Sequence, residues 1–154
     1  MKNLIYLTTI ITLLVSCKPK ESEKDTAMLE VQKPLVLKEA LSGKFLMGTA
    51  LNARQINGYN PEELEVVKSN FNSIVAENCM KSERLVPEKG KYDWSTADKF
   101  VEFGEQNGMV VHGHTLIWHS QTPRWFFKDD AGNEIDKEEL TKRMQEHIYR
   151  LFRW

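Results

Sequence analysis

The apolar positions of this chain fall into alternating short runs and helical stripes. Phe45 to Leu51 is a compact apolar run containing Gly48 and reads as a buried strand. Asn60-Pro61-Glu62-Glu63 then has the form of a helix start: a capping side chain, proline at the first helical position and a glutamate three residues after the cap. That helix continues through Leu64 and Val67, and Phe71 to Ala76 is a second apolar run. Asp93 or Ser95 can cap the next helix, whose apolar side is Trp94, Ala97, Val101 and Gly104, and Asn107-Gly108 stops it. Met109 to Trp118 is a third strand candidate. Lys137 to Trp154 is a third long helix, with Leu140, Met144, Ile148 and Leu151 on one stripe. Met47, Phe71, Phe100 and Phe103 read as core, and His147, in mid-helix, as structural.

Strands apolar on both faces and separated by helices predict βαβ units and a parallel sheet. An open three-stranded parallel sheet leaves its edge backbone groups unpaired. A (β/α)8 barrel of the TIM type needs about 250 residues, so the expected fold class is α/β, with only the first three β/α units of such a barrel present. A flavodoxin-like sheet is the structural competitor, but it needs a fifth strand that this sequence lacks. The count therefore points to a fragment.

The start of the chain reads as an address. Lys2 precedes an apolar run from Leu4 to Val15, broken only by threonines. That run is shorter than the roughly 20 residues a membrane-spanning helix needs. It ends Leu14-Val15-Ser16-Cys17, which resembles a bacterial lipobox; an ordinary signal peptide with a chance cysteine is the alternative. The expectation is a lipoprotein signal peptide over 1–16, acylation of Cys17, and attachment to a bacterial cell envelope at the outer membrane or cell surface. Two or more acyl chains make such an anchor stable. Residues 17–34 include Lys18-Pro19-Lys20-Glu21-Ser22-Glu23-Lys24-Asp25 and bury too little to order, so they read as a flexible tether to a foldable part at 35–154. If Cys17 is acylated, Cys79 has no partner for an intrachain disulfide, and nothing beside it supports a reactive thiolate.

Composition adds exclusions. The 154 residues are 41% hydrophobic and 28% charged, an ordinary globular balance, and 21 Lys+Arg against 22 Asp+Glu leave none of the basic excess of a nucleic-acid binder. Two cysteines supply neither a disulfide framework nor a Cys-rich zinc module.

The candidate chemistry lies where strands two and three end: Ala76-Glu77-Asn78-Cys79-Met80-Lys81, and His112-Gly113-His114-Thr115-Leu116-Ile117-Trp118-His119-Ser120-Gln121-Thr122-Pro123-Arg124-Trp125. In a parallel barrel these are mouth positions, where sites are built. Carboxylate, amide, ammonium, imidazole and indole together suit a sugar, whose hydroxyls need directional partners and whose C–H faces stack on aromatic rings. A metal site is a second reading, since His112-x-His114 with His119 nearby is a possible ligand set.

From Leu35 to Trp154 the sequence resembles the N-terminal part of a glycoside hydrolase family 10 endo-β-1,4-xylanase. The strings that carry the resemblance are Glu77-Asn78-Cys79-Met80-Lys81, Pro87-Glu88-Lys89-Gly90-Lys91-Tyr92-Asp93-Trp94 with Ala97-Asp98, and above all Gly113-His114-Thr115-Leu116-Ile117-Trp118-His119-Ser120-Gln121. It implies that Glu77, Asn78 and Lys81 bind glycone hydroxyls of xylan or xylo-oligosaccharides. It also implies that His114 and Trp118 line the subsite where the bond is cut, with Gln121 beside them and His119 bracing the loop. Read without the resemblance, Glu77, Asn78 and Lys81 remain surface polar residues near a strand end, and His114 and Trp118 a structural histidine and a core tryptophan. Family members often have glutamate at the place of Cys79 and an aromatic at that of Ser82, beside the glycone ligands, which alters the distal subsite; the place of His112 is often held by arginine or an apolar residue. The resemblance further implies retaining hydrolysis by two glutamates about 5–5.5 Å apart, no cofactor, and both glutamates beyond Trp154, so that the chain alone is expected to be inactive. A non-catalytic carbohydrate-binding lipoprotein is the remaining alternative.

Overall fold

The computed structural model describes residues 35–154. The signal peptide, Cys17 and the tether through residue 34 lie outside the described residues. A four-residue helix, α1 (Leu37–Ala40), precedes β1 (Gly48–Leu51). After β1 come α2 (Ala53–Ile56) and α3 (Pro61–Asn70); after β2 (Ser73–Ala76) come α4 (Ser82–Leu85) and α5 (Ser95–Gln106). β3 (Val110–His112) leads through a long loop with one 3-10 turn, Arg124–Phe126, into α6 (Lys137–Arg153). The sheet is parallel, ordered β1-β2-β3, with Thr49, Ile74 and Val111 in one row and Ala50, Val75 and His112 in the next.

The row of Thr49, Ile74 and Val111 lies on the same face as the buried Leu51 and Ala76, and this face packs against α5. Gly104 makes that contact possible, because a Cβ on it would lie 2.3 Å from Val111 Cγ2. Leu51, Ile74, Ala76, Leu85, Ala97 and Phe100 are buried together, with Phe71 and Phe103 packed against them. Met47 is only half-buried and outside that cluster. The opposite face differs from the expected two-sided burial: Gly48, Ala50, Val110 and His112 are exposed, and among the described residues nothing covers them. Val75 and Val110 also belong to this face, so the strands do carry apolar side chains on both sides, and Val110 is left 45% exposed.

Other departures have local causes. The apolar run Met109–Trp118 is a strand only over Val110–His112, because beyond Gly113 the backbone turns out to line the end of the sheet. Asn60 does not cap α3 through its side chain; its Nδ2 instead donates to Glu63 Oε1 at 2.6 Å. The capping box forms one element earlier: Asn52 Oδ1 accepts from Arg54 N and Gln55 N, while Gln55 Oε1 accepts from Asn52 N. On α6 the stripe of Leu140, Met144, Ile148 and Leu151 is half-buried, and the deeply buried positions are polar, Arg143 and His147. Arg143 donates to the carbonyls of Trp125 and Lys128 and pairs with Glu139 at 2.7 Å, so α6 holds loop backbone here, while His147 one turn on packs edge-on against Phe126.

Candidate functional site

Because the strands are parallel, the segments after β1, β2 and β3 emerge at the same end of the sheet. Glu77 and His114, drawn from the second and third of these, therefore share one rim. The Glu77 N–H extends the ladder by donating to Leu51 O at 2.9 Å, which leaves the carboxylate exposed just past the strand.

The centre of the rim is Lys81, 7% exposed. Its Nζ donates to Asn78 Oδ1 at 2.9 Å and to Gln121 Oε1 at 2.7 Å, and it lies 4.3 Å from the centroid of the Trp118 ring. Gln121 Nε2 closes the triangle by donating to Asn78 Oδ1 at 3.0 Å. Four of the six expected residues, separated by up to 43 positions in sequence, thus form one connected group. Burying an ammonium without a carboxylate is costly unless its donors are satisfied. Here two of three donors meet amide oxygens and the charge faces an indole, which leaves one donor for a hydroxyl oxygen.

Backbone constraints hold the group. Gln121 sits at φ 50, a left-handed conformation that a non-glycine residue adopts at a cost of about 1–3 kcal/mol, and its carbonyl accepts from Glu83 N at 2.9 Å. Thr122 Oγ1 donates to Trp118 O at 2.6 Å, closing the loop that carries both Trp118 and Gln121. The exposed His114 ring lies 6.2 Å from Trp118, tilted by 56°, and His119 packs edge-on against Trp118 at 5.1 Å. Trp118 is thus half-buried between two imidazoles, a wall of the rim and not a core residue. Among the described residues, no three of His, Cys, Asp and Glu gather in a metal-binding group, His112, His114 and His119 included.

Beneath Lys81, Ser82 Oγ meets His147 Nε2 at 3.0 Å and Tyr92 OH meets His147 Nδ1 at 2.8 Å. His147, the buried structural residue expected of mid-α6, ties that helix to the base of the rim. Burial pushes its pKa below the usual imidazole range, partly opposed by a hydrogen bond with the Leu116 backbone. Cys79 is buried and desolvation pushes its thiol up, away from nucleophilic character.

Glu77 does not join the Lys81 group. It lines a separate cavity of about 650 Å³ with Asn52, Arg54, Asn78, Arg84 and Asp93, and Asn78 is the residue shared by both. Asn52, Arg54 and Arg84 carried no functional expectation. Asn52 was legible in principle, since it follows Leu51 directly and so occupies the mouth end of β1; the two arginines carry no sequence signal.

Comparison with known proteins follows the same geometry. The model of glycosyl hydrolase family 10 matches residues 36–153. An endo-1,4-beta-xylanase A of Xylanibacter ruminicola is 50% identical over 117 residues, covering 76% of this chain and 32% of that protein. A solved endoxylanase of the same family, from a sugarcane soil metagenome, superposes with a TM-score of 0.72 at 41% identity, over 75% of this chain and 35% of that one. Another solved structure, a mutant in complex with xylotriose, gives 0.69 at 33% identity over 76% and 34%. The chain spans about a third of the length of each of these proteins.

Proposed function

This chain belongs to glycosyl hydrolase family 10 and folds as the first three β/α units of a (β/α)8 barrel, and from that premise we propose that the whole protein is an endo-1,4-β-xylanase. It hydrolyses internal β-1,4-xylosidic bonds of xylan with retention, and these residues supply its glycone-side grip. The observation that carries the reading is Lys81 Nζ, held between Asn78 and Gln121 over the Trp118 ring at the mouth end of the sheet. Xylose units offer hydroxyls to the remaining donors and C–H faces to the indole.

In this reading Glu77 binds substrate and does not act as acid or nucleophile, and the two catalytic glutamates are not among these 154 residues. The chain therefore binds xylo-oligosaccharides without turning them over. Proton NMR of xylohexaose incubated with the purified chain tests this: bound, uncleaved substrate is expected. New reducing-end signals from contaminant-free protein would overturn the assignment of the catalytic pair, and absence of binding would overturn the grip itself.

The same proposal has residues 1–16 removed as a lipoprotein signal, Cys17 acylated on a bacterial envelope membrane and residues 17–34 serving as a tether. It is supported by Lys2, the Leu4–Val15 run and the Leu14-Val15-Ser16-Cys17 sequence. Mass spectrometry of the protein from a lipoprotein-processing host is expected to find a diacylglyceryl Cys17 at the new N-terminus; an unmodified cysteine there would refute it.

A further inference from the structure

His147 touches both loops whose side chains make the rim, although it lies on α6 and, at 1% exposure, is out of reach of any ligand. Its Nε2 meets Ser82 Oγ at 3.0 Å, and Ser82 follows Lys81 directly at the start of α4. The ring also contacts the backbone of Leu116, two residues before Trp118. Its Nδ1 meets Tyr92 OH at 2.8 Å, and Phe126 packs edge-on against it at 5.5 Å, so the imidazole is held from every side. What it holds in return is a weak element. α4 has four residues, too few to fix a geometry of its own. Its first turn nevertheless carries two parts of the Lys81 group: the Lys81 side chain leaves from the residue before the helix, and Glu83 N donates to Gln121 O at 2.9 Å. Ser82 stands between those two points. Among the described residues, its bond to His147 is the one side-chain hydrogen bond that α4 makes.

We propose that His147 is a positioning residue for sugar binding: by holding Ser82 beside Lys81 and the loop backbone before Trp118, it sets the approach of the Lys81 ammonium to the Trp118 ring, 4.3 Å from its centroid. It touches no substrate itself. The inference rests on the sugar-binding role of Lys81 and Trp118 proposed above and adds a residue of α6 to that grip. A binding group works only when its side chains are held within about 0.5 Å of the productive geometry. The bonds from Lys81 to Asn78 and Gln121 weaken steeply once their distances and angles drift. Loss of the His147 bond therefore acts on affinity through Lys81 and Gln121, and not only on the stability of the fold.

Calorimetry of the full chain with xylotriose, paired with NMR of the ligand-free protein, tests the proposal. Ser82→Ala is expected to weaken binding about fivefold and His147→Leu about tenfold, as a lost buried hydrogen bond is passed on to the rim. In both variants the Gln121 side-chain amide and Trp118 indole N–H signals should shift before any sugar is added. His147→Gln, which can still bond Ser82 and Tyr92, should return both signals and keep affinity within about twofold of the unsubstituted chain. Urea denaturation separates the two roles. A residue that serves only the fold lowers the midpoint in Ser82→Ala but leaves the affinity and both signals of the folded protein unchanged. That result would overturn this inference and leave the sugar-binding reading standing, as would an affinity in His147→Gln as low as in Ser82→Ala. If His147→Leu does not fold, Ser82→Ala and His147→Gln decide the matter. Failure of the unsubstituted chain to bind xylotriose would overturn both.

Discussion

Lys81 donates to Asn78 and Gln121 and covers the Trp118 ring, so one ammonium holds residues from two loops together. Replacing it by methionine removes a buried charge as well as its hydrogen bonds, and these effects offset in stability. Lys81→Met is expected to shift unfolding free energy by less than about 2 kcal/mol in urea denaturation while lowering xylotriose affinity at least about tenfold by calorimetry. Equal affinity in the variant would show that the ammonium serves only the fold. His147 makes a prediction in pH. Its folded pKa lies below the ordinary value of 6.5, so between the two the unfolded chain binds more protons than the folded one. Stability therefore rises with pH through that window and falls as the solution is acidified below about 6.5. Denaturation midpoints recorded across this range should show the slope, and His147→Gln, which keeps a donor and an acceptor, should flatten it. The placement of Glu77, Asn78, Lys81, His114 and Trp118 at one end of the sheet was legible, because segments that follow parallel strands emerge on the same side. The burial of Lys81 and the pairing of Ser82 with His147 were not, since both depend on contacts 40 and 65 residues away.

Among the elements, α5 and the sheet meet at Gly104. An alanine there gains helix propensity of about 1 kcal/mol but drives its Cβ into Val111 Cγ2 and to 3.2 Å from Ile74 Cδ1. Gly104→Ala is expected to lose about 1–3 kcal/mol net in urea denaturation, the usual cost of overpacking; a stabilised variant would mean that the helix does not sit this close. The order of strands and long helices was readable from apolar periodicity, with α5 and α6 nearly in place. The short elements were missed for physical reasons: a four-residue helix has no amphipathic repeat, and the Asn52–Gln55 capping box lies outside any apolar stripe. Leu116, Ile117 and Trp118 misled in the other direction, because an apolar run in a loop at the end of the sheet has the same composition as a strand.

For the whole molecule, the parallel sheet fixes the function-bearing end. Each loop after a strand emerges on one side, so residues from Asn52 to Gln121 converge without direct sequence contact, and the Lys81 group and the cavity beside Glu77 meet at Asn78. The open face of Gly48, Ala50, Val110 and His112 was not legible, because hydropathy counts residues without saying which side of a strand they cover. The claim that these two loops form one sugar-binding rim is tested most directly by two-dimensional NMR of the labelled chain titrated with xylotriose. The account predicts saturable shifts of the Asn78 and Gln121 side-chain amides, the Trp118 indole and the backbone of residues 77–82 and 114–121. Saturation with those signals unmoved, or no binding at all, would contradict it.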